Sequence, residues 1–222
     1  MVDLKDILGR VQEIAKKHPG YSFHADSGWY TIELVEEMSR KAIGFRFLQG
    51  NEGPTIDQVV AEISLDRIEA LLEPIVDKYK LGVQGSTRKK TLDNTQPEFE
   101  SVCRTPIGNE ANLVHVLEAF SGFMNRMVSG FFNDEGTISG MGQAVLECPF
   151  DDIINQGIGG EYPINVLKAI SLAHLCGNNE VAKSYEKGFQ SWIEEDREDP
   201  TMAHLCDDYL KALKDLQARI KQ

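Results

Sequence analysis

Apolar and polar residues along the chain follow two different periods. Leu4, Ile7, Leu8, Val11, Ile14 and Ala15 recur three or four apart, and Pro19-Gly20 closes the run. That spacing predicts an amphipathic helix over residues 3–17. The period then falls to two. Trp29-Tyr30-Thr31-Ile32-Glu33-Leu34-Val35 is rich in strand formers. Ile43, Phe45 and Phe47 alternate with Gly44, Arg46 and Leu48, and Val59, Ala61, Ile63 and Leu65 alternate with Val60, Glu62 and Ser64. Three strands are predicted, with Gly50-Asn51-Glu52-Gly53-Pro54 as a turn; short connections make them an antiparallel meander. His24-Ala25-Asp26-Ser27-Gly28, just before them, reads as a polar loop.

The helical period returns at Asp66, with Ile68, Leu71, Leu72, Ile75, Val76 and Tyr79 as its stripe. Asp66 and Glu69 stand at the spacing of a capping box, and Pro74 inside the run predicts a kink. This helix and the first are expected to cover the meander. A polar stretch follows over 82–97, with the basic run Arg88-Lys89-Lys90; residues 99–103 read as a further strand. Asn109 is placed to cap a long helix carrying Leu113, Val116, Leu117, Phe120, Met124, Met127, Val128 and Phe131.

Six glycines between Gly136 and Gly160 interrupt any helical pattern, and residues 143–148 are the strand candidate there. Beyond them, Pro163 suits a first helical position and Gly177 the residue past a helix end. Asn179 is expected to cap a helix with stripe Val181, Ala182, Tyr185, Phe189, Trp192 and Ile193. Asp199-Pro200 is expected to open the last helix, through Met202, Leu205, Tyr209, Leu213, Leu216 and Ile220. Short loops predict that these three helices pack antiparallel. The fold class is therefore α+β, an antiparallel sheet packed on helices over residues 1–132. A glycine-rich connection and a C-terminal antiparallel helical bundle follow over 133–222.

Composition narrows the function classes. The 222 residues are 41% hydrophobic and 26% charged, which suits a globular chain with a real core. Thirty-five acidic against 23 basic residues leave a net charge of −12. That field repels phosphate backbones, so no nucleic-acid partner is expected, and it attracts basic partners. No apolar run is long enough to span a bilayer and the N-terminus lacks a signal-peptide pattern, so no membrane is expected and the protein is placed in the cytoplasm. Cys103, Cys148, Cys176 and Cys206 are scattered and read as reduced.

Candidate chemistry is sparse. Ala173-His174-Leu175-Cys176 echoes as Ala203-His204-Leu205-Cys206. Residues two apart on a helix point ~200° apart, so neither pair can close on one zinc, and no metal or other cofactor is expected. Gly157-Ile158-Gly159-Gly160 precedes a helix, but Glu161 and Asp151-Asp152 oppose an anion there, so it reads as a flexible loop. Neither it nor Gly82-Val83-Gln84-Gly85-Ser86-Thr87-Arg88-Lys89-Lys90 completes a phosphate-binding motif. No catalytic residues are assigned. The remaining signal is acidic: Glu194, Glu195, Asp196, Glu198, Asp199, Asp207 and Asp208 follow Trp192, against Arg197 alone. Helix capping requires two or three of them. The rest, beside a large aromatic, are assigned as a surface for a basic protein partner.

Two resemblances bear on this. The order helix, three strands, helix, one or two strands, helix over residues 3–131 resembles that of secretion-chaperone α/β folds, acidic protein-binding scaffolds that often dimerise. That implies a protein-binding role and admits a homodimer. The run Tyr162-Pro163, Leu167-Lys168-Ala169, Leu172-Ala173, Gly177-Asn178-Asn179-Glu180-Val181-Ala182 and Tyr185 resembles the helical hairpins of bacterial toxin-immunity proteins. It is also loosely similar to a tetratricopeptide hairpin, with the aromatic displaced to Tyr185. The immunity resemblance implies a non-enzymatic protein that binds and neutralises a cognate toxin or effector. The alternatives are a chaperone or adaptor for a secreted protein, and an enzyme without a recognisable motif.

Overall fold

The computed structural model describes residues 2–221, and the fold is α+β. Helix α1 (Leu4–Lys16) is capped by Asp3, whose side chain accepts from the Lys5 N–H, and buries Ile7, Val11, Ile14 and Ala15. Strands β1 (Ser22–Asp26), β2 (Trp29–Val35), β3 (Ser39–Gly50) and β4 (Gly53–Leu65) then follow in chain order, and β5 (Arg88–Thr91) completes the antiparallel sheet in the order β1-β2-β3-β4-β5. The register sets Tyr30 opposite Phe45 and Ile32 opposite Ile43.

Two of these strands correct the sequence reading. His24, Ala25 and Asp26 are not loop; they pair with Thr31, Tyr30 and Trp29. Ser27 and Gly28, both at positive φ, make the two-residue turn that right-handed strand twist favours. Strand β1 stands at the sheet edge with four of its five residues exposed, so it has no buried face to leave an alternating pattern. The basic run at 88–90 lies in β5 for a related reason: its charges conceal a strand.

The chain divides into two units. One holds the chain up to Ile63 together with Lys90–Asp134; the other holds Ser64–Lys89 and everything from Glu135 onward. They differ from a single cut at 132, because the segment after the meander belongs with the C-terminal half.

In the first unit α1 packs on α4 (Glu110–Arg126), and Asn109 caps α4 by accepting from the Asn112 N–H at 2.9 Å. Helix α4 brings Phe120 against Phe45, ring centroids 5.2 Å apart, both fully buried. Residues 99–103 form a short helix, α3 (Phe99–Cys103), rather than a strand, and pack on α4. Five residues with three apolar positions, Phe99, Val102 and Cys103, are too few to separate the two periods. Helix α4 passes through a π-helical turn (Met127–Phe131) into α5 (Phe132–Glu135).

In the second unit α2 (Asp66–Tyr79), with Pro74 inside it, packs on α7 (Ile164–Leu175) and α9 (Cys206–Ile220). It was expected over the meander; within the first unit it is α4 that covers Phe45. Residues 143–148 are not a strand. Helix α6 (Ile138–Val145) starts at Thr137, which accepts from the Gly140 N–H, and a 3-10 turn (Phe150–Gln156) follows. Helix α8 (Asn179–Asp196) is capped by Asn178, one residue before the expected cap. Helix α9 begins at Cys206, not Asp199. Asp199 instead accepts from the Thr201 N–H at 2.8 Å and its hydroxyl at 2.7 Å, a local turn that competes with helix. Among the described residues no helix is long and apolar enough to cross a membrane.

Candidate functional site

The structure separates the seven carboxylates of the acidic segment by role. Asp207 and Asp208 stand in the first turn of α9, where a helix favours negative charge. Arg197 donates to Asp207 at 2.7 Å, and that hydrogen bond holds the Asp207 carboxyl below its ordinary range. Lys211 donates to Asp208 at 2.9 Å. Asp199 is taken up by Thr201, whose backbone N–H lowers its pKa. The favourable end of a helix dipole, ion pairing and turn formation account for these three.

Glu194, Glu195 and Asp196 are different. They occupy the last turn of α8, which carries no basic residue. Unsatisfied carbonyls give a helix C-terminus partial negative charge, so carboxylates there are unfavourable. Arg197 offsets only Glu194, at 3.4 Å. Glu195 and Glu198 are exposed and form no ion pair among the described residues.

Trp192 is half-buried, not a free anchor. Its ring lies 4.4 Å from that of Phe150 and 6.2 Å from that of Tyr162. The Tyr162 hydroxyl donates to Asp196 Oδ2 at 2.8 Å; burial, with this bond second, pushes its pKa up. Tyr162, Trp192, Glu195 and Asp196 bound an open cleft of 340 Å³. Sequence spacing had grouped the acids with Trp192; it could not show that Tyr162, 30 residues away, completes the cleft.

The other motifs lead elsewhere. His174 pairs with Glu186 at 2.8 Å, and the Cys176 thiol donates to the Ile138 carbonyl at 3.2 Å. The echoed residues at 203–206 lie in a turn and the start of α9, so the echo marks no repeated unit. Among the described residues no group of three or more metal-ligating side chains comes together.

The glycine loop at 157–160 is not flexible surface. Lys89 N–H donates to the Gly157 carbonyl at 2.8 Å and Gly159 N–H to the Thr87 carbonyl at 3.1 Å, so the two glycine-bearing segments pair with each other. A Cβ on Gly159 would overlap the Ser86 carbonyl oxygen. Their meeting is pinned by Lys168, which periodicity in α7 did not single out. Its ammonium donates to the carbonyls of Gln84 (2.9 Å), Gly85 (2.9 Å) and Ser86 (2.7 Å), and Glu69 Oε1 lies 3.1 Å away. Glu69 also accepts from Gln84 Nε2 at 2.6 Å and from the Thr87 hydroxyl. It therefore anchors this loop and makes no capping box with Asp66. Arg88, buried, donates to buried Glu135 at 2.7 Å.

Two further clefts carry ionisable side chains. One of 640 Å³ includes Arg67, Ser139, Glu147 and Cys176; burial raises the Cys176 pKa, the wrong direction for a nucleophile. One of 240 Å³ includes His18, Tyr21, Glu36 and Lys41. Burial and Glu36 push Tyr21 up to about 12, while Lys41 and Glu36 pair at 2.7 Å. Neither cleft holds a nucleophile hydrogen-bonded to a base among the described residues. No family model, no curated protein and no solved structure matches this chain.

Proposed function

We propose that the chain is a non-enzymatic protein-binding module. The acidic end of α8 engages a basic partner of the toxin or effector kind and neutralises it by covering it. One observation carries this reading: Glu194, Glu195 and Asp196 sit where the helix itself disfavours them. Glu195, exposed and without an ion pair among the described residues, does nothing for the helix end, and a charge that costs stability is commonly retained for what it binds. Exposed Glu198 extends the negative surface, and Trp192 with Tyr162 supplies apolar contact beside it.

Two measurements test the reading. Glu195→Lys should stabilise the free protein by ~0.3–1 kcal/mol at low ionic strength, because a cation suits the helix end. Urea unfolding measures this directly; a destabilised variant would show that Glu195 serves the fold. For binding, the partner is first identified by affinity capture and mass spectrometry and then purified. Replacing Glu194, Glu195 and Glu198 together by lysine should slow its association, and the wild-type rate should fall as salt rises from 0.1 M, where the Debye length is ~10 Å. Asp196 is left intact, since Tyr162 depends on it. A partner that associates with the triple variant as fast as with wild type at low salt defeats the proposal.

A further inference from the structure

We propose that the cleft bounded by Tyr162, Trp192, Glu195 and Asp196 seats a single arginine side chain of the protein partner. This rests on the binding role proposed above and names the group that is bound. The lining joins two kinds of surface that suit the same ligand. Trp192 and Tyr162 present two rings tilted 53° to each other, and ring faces attract cations. Glu195 and Asp196 supply adjacent carboxylates. No cation lines the cleft. The nearest in sequence, Arg197, is held by Asp207 and Glu194, with Asp207 only 2.7 Å from its guanidinium. The hydrogen bond from Tyr162 orients Asp196 and joins ring to carboxylate, so the two halves of the site are positioned together. Phe150 packs on Trp192 and fixes it against the body of the unit.

Arginine fits this lining better than lysine. A planar guanidinium stacks on a ring while its edge donates to carboxylates, and it is less strongly hydrated than an ammonium. The chain contains a comparison case: Arg46 lies over Trp29 at 5.8 Å while donating to Asp57 at 2.7 Å. There the cation is internal, so the Trp29 site is already filled; at Trp192 the same combination of ring and acid has no internal cation.

The test uses the whole chain and needs no partner. The indole N–H signals of Trp29 and Trp192, the chain's two tryptophans, are followed by NMR during titration with N-acetyl-arginine amide. The Trp192 signal should shift and saturate while that of Trp29 stays in place. N-acetyl-citrulline amide, neutral and similar in shape, should bind at least about tenfold more weakly, and N-acetyl-lysine amide more weakly than arginine amide. Glu195→Gln with Asp196→Asn should weaken arginine-amide binding about tenfold or more, with Trp29 and the remaining amide spectrum confirming an intact fold. An unmoved Trp192 signal, citrulline binding equal to arginine, or lysine binding equal to arginine each overturns the arginine seat. If arginine amide fails while a basic partner still associates in a salt-dependent way, the seat alone is wrong. If the triple-lysine variant also associates normally, the binding role falls with it.

Discussion

Lys168→Met is expected to destabilise the second unit by on the order of 3–5 kcal/mol, the range for breaking a buried charge pair. The substitution keeps the length and apolar stem of the side chain, so little packing is lost. The ammonium is lost, and with it the donor to three backbone carbonyls at 84–86 and the cation beside Glu69. Those carbonyls lie where the 157–160 segment closes over them; the bond to Ser86 is buried, and an unsatisfied buried acceptor costs about 1–3 kcal/mol. Glu69 retains Gln84 and Thr87 as donors, which limits the loss. Urea unfolding gives the size of the effect, and hydrogen exchange should show amides of 84–89 and 157–160 opening first. A variant within ~1 kcal/mol of wild type would mean that the lysine is only accommodated in the interior.

Phe45→Asp should cost the first unit about 5 kcal/mol or more, enough to unfold much of a marginal domain. Phe45 is fully buried, opposite Tyr30 in the sheet and against Phe120 of α4. Truncating a buried phenylalanine alone costs about 3–5 kcal/mol, and the carboxylate adds its own desolvation. Phe45→Leu separates the two contributions, because it removes ring contacts without burying charge. Loss of the dispersed amide signals of β2 and β3 in Phe45→Asp, with retention in Phe45→Leu, is the expected pair of results. Equal stability of Phe45→Asp and wild type would place Phe45 outside the core.

What was legible in the sequence follows from what leaves a periodic trace. The first helix, β2, β3, β4 and the long helix after Asn109 each bury one face, so their apolar residues repeat at two or 3.6 and could be read directly. Strand β1 buries almost nothing and β5 is three charges and a threonine, so neither had a pattern to find. Helix α6 was hidden by its own glycines; at Gly142 an added Cβ would meet the Cys176 thiol. The start of α9 was misplaced because Asp199 satisfies a turn with the same side chain that would cap a helix. The candidate site shows the same limit. The acids and Trp192 are neighbours in sequence, but their meaning depends on falling at a helix end rather than a helix start, and on Tyr162, which only the tertiary fold brings beside them. Lys168 was invisible for the opposite reason: a charged residue inside an apolar helix reads as exposed until its partners, 82–84 residues earlier, are placed around it.

That separation sets a schedule for the growing chain. Ribosomes extend proteins at about 5–20 residues per second. The carbonyls at 84–86 therefore emerge roughly 4–17 s before Lys168 exists to receive them. Throughout that interval Ile68, Leu72, Ile75 and Val76 of α2 have neither α7 nor α9 to pack against. Residues 64–89 are thus synthesised early and completed late, and the nascent protein exposes an apolar helical face before its own C-terminal half can cover it.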